Sequence, residues 1–398
     1  MTGVKVLRRI QSFSLNMILI GLFFSVSGFL YIDDDYSRVI YLTVILFSLL
    51  FWFLEFPDMS FSKNLFRYSF QWRLVTVFFL WVFFSSLINE ASALKVLSRL
   101  LAIYFFLYGV ALARMYRPKE FYFVLLLGVV VAVALLCHST IGFYSKNSLT
   151  TRLVGFGMDV RNPVVVGVVA AGLSVMAYVL ARTAGFNRVL VFLLKLIALS
   201  LFVICVFSWS KTPFLGLLAG LVFYFLIVGR AKGKRLLAQM GGVIVVVTAL
   251  MWLSDSWRLA DVDALMTLSN RLPIWLNLID SIKSNFFFGV GIDSDAVFEG
   301  ENDLSMEHPH NSYLQAWYYT GWLGFLLFTS IYLYPVWSVI LSQGRGKHLL
   351  WCFGFVFGVQ LVDVHVFLSR PNLYWFILWL PVGWFAIEEM KSKQGCRT

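Results

Sequence analysis

Charge is scarce in this chain. Only 13% of its 398 residues are Asp, Glu, Lys or Arg, whereas 60% are apolar and 18% aromatic. Soluble domains carry about 25% charged residues and cannot hide so much apolar surface from water. The scarcity excludes a cytosolic enzyme, a secreted domain and a disordered scaffold. Cysteine is nearly missing as well. Cys137, Cys205, Cys352 and Cys396 are scattered, with no CxxC pair, so neither a disulfide framework nor a zinc site is supported. Low-complexity tracts and usable internal repeats are absent.

What is present is long apolar runs. They lie near residues 13–32, 39–56, 72–88, 96–113, 120–138, 163–181, 189–208, 212–229, 236–253, 313–341, 349–368 and 373–388. Most approach the ~20 residues that a membrane-spanning helix needs. The expected fold is an all-α integral membrane protein of about twelve spans. The first run is too long for a cleavable signal, and no small-residue cleavage site follows it. Three regions result: residues 1–253 with nine spans, a long loop over 254–312, and residues 313–398 with three spans and a tail.

The net charge is +11, from 32 Lys and Arg against 21 Asp and Glu. With the N-terminus inside, most of the basic residues fall in short inside segments, among them Lys5, Arg8, Lys63, Arg67, Arg114, Arg117, Lys232, Lys391 and Lys393. Most acids fall outside, Asp33, Asp34 and Asp35 included. The basic excess therefore reads as topology, with both termini inside, and gives no reason to expect nucleic acid. Arg152, Arg161, Lys211, Arg271 and Arg370 do not fit that rule, because they stand near outer span ends. They suit an anionic ligand there, or else lipid headgroups or the outside acids as ion-pair partners.

The long loop concentrates the chemistry. Its Ser269–Trp275 stretch predicts a helix capped by Asn270, with Pro273 in its first turn. Leu272, Trp275, Leu278, Ile279 and Ile282 follow at helical spacing, so an amphipathic surface helix is expected. Arg271 at such a start would join a positive dipole end suited to phosphate. Further on, Glu307-His308-Pro309-His310-Asn311-Ser312 precedes the tenth run. Ser312 with Gln315 fits a capping box. The dipole of that helix should keep His310 neutral and able to take a proton. Metal ligation by His308 and His310 is the weaker reading, since no third His or Cys is near. The loop acids lack calcium-loop spacing.

His310-Asn311, then nine residues, then Gly321-Trp322-Leu323-Gly324 resembles the H-N-x9-G signature of the O-antigen ligase and polymerase superfamily. Arg271-x3-Trp275, with Ser284-Asn285-Phe286-Phe287-Phe288-Gly289-Val290-Gly291 after it, is similar to that family's R-x3-W helix and glycine turn. The layout of about twelve spans with one late periplasmic loop is similar too. The resemblance implies a GT-C type glycosyltransferase of the bacterial inner membrane with its site on the periplasmic face. Such an enzyme moves a glycan from undecaprenyl diphosphate to a sugar of the lipid A core, with inversion and without metal or other cofactor. It further implies His310 as base and Arg271 at the diphosphate, with Lys211, Arg161 and Arg370 as added cations. Asp363, Asn311, His308 and Trp275 would support them. Asp363 and Arg370 resemble a late acid–base pair, and Asp363, read as intramembrane, is expected to orient a basic residue. One departure is Ser210-Lys211, where the family has Ser/Thr-Arg. Lysine keeps the charge and loses the bidentate fork. An O-antigen polymerase, which extends lipid-linked glycan, shares these motifs. A transporter of an anionic lipid-linked sugar would explain the outer cations, but not His310 at a helix start.

Overall fold

The computed structural model describes residues 2–32, 35–55, 59–148, 151–154, 162–225, 262–292, 294, 298–299, 305–306, 309–341, 346–363 and 368–395. It is helical apart from a two-residue antiparallel pair, β1 (Phe298–Glu299) with β2 (Ser305–Met306). The helices are α1 (Thr2–Ser27), α2 (Tyr36–Glu55, with a π turn at Tyr41–Ile45), α3 (Ser60–Tyr68), α4 (Phe70–Ile88) and α5 (Ala93–Tyr116). Next come α6 (Pro118–Tyr144), α7 (Pro163–Thr183), α8 (Arg188–Phe207), α9 (Thr212–Phe225) and α10 (Val262–Ser284). The last four are α11 (Ser312–Leu341), α12 (Leu350–Gln360), α13 (Trp375–Leu378) and α14 (Leu380–Gly395).

Among the described residues, eight helices are long and apolar enough to cross a membrane: α1, α2, α4 to α8, and α11. The chain is thus an all-α integral membrane protein. The ninth expected run, 236–253, lies outside the described residues. The eleventh differs from expectation, because α12 stops at Gln360 and Asp363 sits in the turn beyond it. Its N–H still reaches the Val359 carbonyl. The carboxylate therefore stands at a helix end and not in the middle of a continuous helix. The short amphipathic α3, which carries Lys63 and Arg67, was not among the expected elements.

Local chemistry sets the helix starts. Ser69 caps α4 by accepting from the Trp72 N–H, and Asn187 caps α8 by accepting from Leu190. Asn162 caps α7 ahead of Pro163. Each cap satisfies N–H groups that a helix start leaves without partners.

Basic residues and buried acids gather at one end of the bundle. Arg114 pairs with Glu388 at 2.6 Å, and Lys391 Nζ donates to the Arg114 carbonyl. Glu389, 5% exposed, accepts from Ser69 Oγ, the Gln71 N–H, Tyr334 and Lys393. Glu55 accepts from the Phe61 N–H, Ser62 Oγ and Tyr108. A buried carboxylate is tolerable only with such donors. These bonds join α14 to α4 and α11, and α2 to α3 and α5.

α11 is broken. It runs antiparallel to α4, with Gln71 Nε2 on the Ile331 carbonyl and Trp81 Nε1 on the Thr320 carbonyl. At Gly321 the backbone turns to φ 71°, ψ −176°, a conformation open essentially to glycine. The turn after α10 fills the break. Val290 and Gly291 donate to the Tyr318 and Tyr319 carbonyls at 2.9 and 3.0 Å, and Trp322 donates to Phe286 O at 2.8 Å. A Cβ on Gly321 would collide with the Phe287 carbonyl, and one on Gly289 with the Tyr319–Thr320 peptide. Gly321→Ala should therefore cost about 2 kcal/mol or more through strain and overlap. Gly142→Ala, on α6 in open space, should be neutral or slightly stabilising. Thermal melts of the two purified variants in detergent check the contrast; equal melting temperatures would overturn it.

Candidate functional site

The break leaves a nine-residue half-helix, Ser312 to Thr320, ending the segment that carries His310. His310 itself is left-handed, with φ 51°, which is uncommon for a non-glycine residue. Both neighbours hold it there. Asn311 Oδ1 accepts from the Tyr313 and Leu314 N–H groups, both at 3.0 Å. The Pro309 carbonyl accepts from Trp275 Nε1 at 2.8 Å. Asn311 is thus the cap, and the capping box expected of Ser312 and Gln315 is not what starts α11. Asparagine wins because its short amide reaches two N–H groups at once, while its own carbonyl accepts from Gln315.

Pinned on both sides, the imidazole meets Asp363. His310 Nδ1 lies 3.2 Å from Asp363 Oδ1, with the two side chains 28% and 14% exposed. Thr212 Oγ1 donates to the other oxygen, Oδ2, at 3.4 Å. Three chain segments far apart in sequence therefore converge: the start of α9, the start of α11 and the end of α12. A carboxylate beside Nδ1 favours the tautomer with its proton there, which makes Nε2 the acceptor nitrogen, the arrangement of a positioned general base.

α10 forms the wall beside this pair. Ile274, Leu278 and Ile282 are buried with Trp275 of the same helix against Leu314, Trp317 and Tyr318 of the half-helix. Leu276 and Ile279 stay exposed. The helix is amphipathic as expected, but Ile274 belongs to its buried line and Ile279 does not. Its start is a correction. α10 begins at Val262, so Asn270 is no N-cap and Pro273 lies inside the helix. The preceding residues, Val262 to Leu268, form helix themselves, and Pro273 removes only one backbone donor. Arg271 therefore sits mid-helix, not at a positive helix end. Its side chain lies outside the described residues.

Of the other expected residues, Arg161 and His308 lie outside the described residues. Lys211 is exposed and immediately precedes Thr212, whose hydroxyl reaches Asp363. Arg370 is exposed, and with Arg99 it acts electrostatically on Tyr41 of α2. Among the described residues, Asp363 is ion-paired to His310 and not to Arg370. The expected acid–base pair is therefore replaced by an Asp–His pair. Thr212 went unread in the sequence, although Ser210-Lys211-Thr212-Pro213 is a helix-start pattern.

A family model described as O-antigen ligase matches residues 196–329, which take in Lys211, Thr212, Arg271, Trp275 and His310. The O-antigen ligase of Pseudomonas aeruginosa is 26% identical over 318 residues, covering 77% of this chain and 75% of that protein.

Two substitutions test how the His310 segment is held. Asn311→Ala should cost about 1 kcal/mol by removing the cap. Trp275→Phe should keep the ring contacts but release the Pro309 carbonyl. Both should speed hydrogen exchange of the Tyr313 and Leu314 amides; unchanged exchange in either variant would refute its part.

Proposed function

We propose that this chain, a member of the O-antigen ligase superfamily, is an inverting membrane glycosyltransferase of the GT-C type. It takes a glycan from undecaprenyl diphosphate and joins it to a sugar of the lipid A core. The observation that carries this reading is the His310–Asp363 pair at the end of the bundle opposite the basic residues. The positive-inside rule assigns that basic end to the cytoplasm and hence the pair to the periplasm.

In this mechanism His310 Nε2 accepts the proton of the acceptor hydroxyl. The oxygen attacks the anomeric carbon as its bond to the diphosphate breaks, with inversion. Asp363 stabilises the imidazolium that forms. The diphosphate departs with its negative charge, for which Lys211 next to Thr212 and Arg271 on α10 supply cations. Arg370, exposed, adds positive charge, and Arg161 is proposed as a further cation from its place in the sequence. His308 and Asn311 flank the base in sequence, and Trp275 holds its loop. The exposed apolar face of α10 meets the lipid in which donor and acceptor both reside.

Reconstituted protein supplied with undecaprenyl-diphosphate-linked glycan and lipid A-core tests the reading. Wild type should transfer. His310→Ala should lose about 10²-fold or more in rate, and Arg271→Ala should lose activity with the protein still folded. Elongation of the lipid-linked glycan in place of transfer would make the chain a polymerase. Movement of donor across vesicles without any transfer would make it a transporter.

A further inference from the structure

We infer that Thr212 is a positioning residue for the base, acting through Asp363. The inference rests on the transfer reading above and adds to it a residue on a separate helix. Asp363 has two carboxylate oxygens and a partner for each: His310 Nδ1 at 3.2 Å on Oδ1 and the Thr212 hydroxyl at 3.4 Å on Oδ2. A carboxylate turns readily about its last torsion. Asp363 also stands past the end of α12, in a turn whose Val362 and Asp363 N–H groups both reach the Val359 carbonyl. With His310 on one oxygen, the Thr212 hydroxyl on the other fixes the plane of the carboxylate.

Thr212 is well built for that task. It is 4% exposed, so its hydroxyl needs a partner within the protein. It is β-branched, which stiffens its first torsion, and Pro213 restricts its backbone. The segment is itself seated on α7, where a Cβ on Gly167 would meet Ser208 and Pro213. Thr212 also follows Lys211 directly. One short segment thus carries a cation for the leaving group and the clamp for the base, so that contact with the donor and orientation of His310 are mechanically joined.

The test compares Thr212→Val, which keeps the shape and removes the hydroxyl, with Thr212→Ser, which keeps the hydroxyl. In the reconstituted transfer assay the valine variant should lose about tenfold in kcat, the scale seen when an orienting partner is lost. Its KM for the lipid-linked donor should stay unchanged, and serine should restore most of the rate. On an Asp363→Ala background the valine change should cost nothing further, because the residue acts through that carboxylate. A loss seen only in KM, or an additive loss in the double variant, would overturn the role. A second readout does not depend on what is transferred. In protein labelled with 15N-histidine, the Nδ1–H resonance of His310, assigned with His310→Gln, should move in Thr212→Val and stay in Thr212→Ser. An unmoved resonance refutes the positioning role. A moved resonance in a protein that transfers no glycan refutes the proposed reaction and leaves the positioning intact.

Discussion

A transmembrane helix cannot simply stop inside a membrane, because each carbonyl left without a donor costs several kcal/mol. α11 is broken at Gly321, and the rest of the site depends on how the carbonyls at the break find donors. The Phe286–Gly291 turn enters the gap and supplies N–H groups to the Tyr318 and Tyr319 carbonyls, while Trp81 supplies the third donor. Stacked rings surround the insertion: Phe286 on Trp322, and Phe288 on Trp81. The Ser312–Thr320 half-helix thereby gains a fixed place of its own. Because the turn and α10 are consecutive, α10 is set down on that half-helix and brings Trp275 to Pro309. The position of His310 is thus a consequence of the break.

The opposite end of the bundle meets the same constraint with charge. Glu389 and Glu55 are buried carboxylates, each surrounded by three or more donors. Removing one donor from such a set leaves a buried charge under-satisfied, which costs more than the bond itself is worth. The two acids also accept from the N–H groups of Gln71 and Phe61 at the starts of α4 and α3. Charge satisfaction and helix capping are there one interaction. The two ends therefore do different work: one locks helices together, while the other leaves an Asp–His pair partly open to solvent.

The sequence made eight of its twelve expected spans legible among the described residues, because lipid demands long apolar runs, a strong and local signal. It made the His310-Asn311 and Gly321 spacing legible too, and the structure supplies the physical reason for the glycine. Helix ends were harder to read. Ser312 and Asn311 are both good caps, and only the placement of the Asn311 amide decides between them. Pro273 suggested a helix start, yet α10 runs through it. Least legible were the contacts between distant segments. Thr212 and Asp363 are 151 positions apart and Ser69 and Glu389 are 320 apart. No periodicity joins such pairs. Asp363 could be marked as a charge in an apolar run, but its partner could not be named.

Strain is placed with the same economy. Among the described residues, four non-glycine positions have positive φ, and two of them, Trp209 and His310, flank the segments that meet at Asp363. Each such conformation costs of order 1–3 kcal/mol and persists only where neighbours over-determine it. Around His310 those neighbours are the Asn311 cap and the Trp275 bond. Around Trp209 they are the backbone bond from Trp209 to Val206 and that from Ser210 to Ser208 Oγ. Relaxing the His310 turn to ordinary backbone would lower the local energy and swing the imidazole away from the carboxylate. The fold holds both turns, so the geometry of His310, Asp363 and Thr212 is built into the backbone itself.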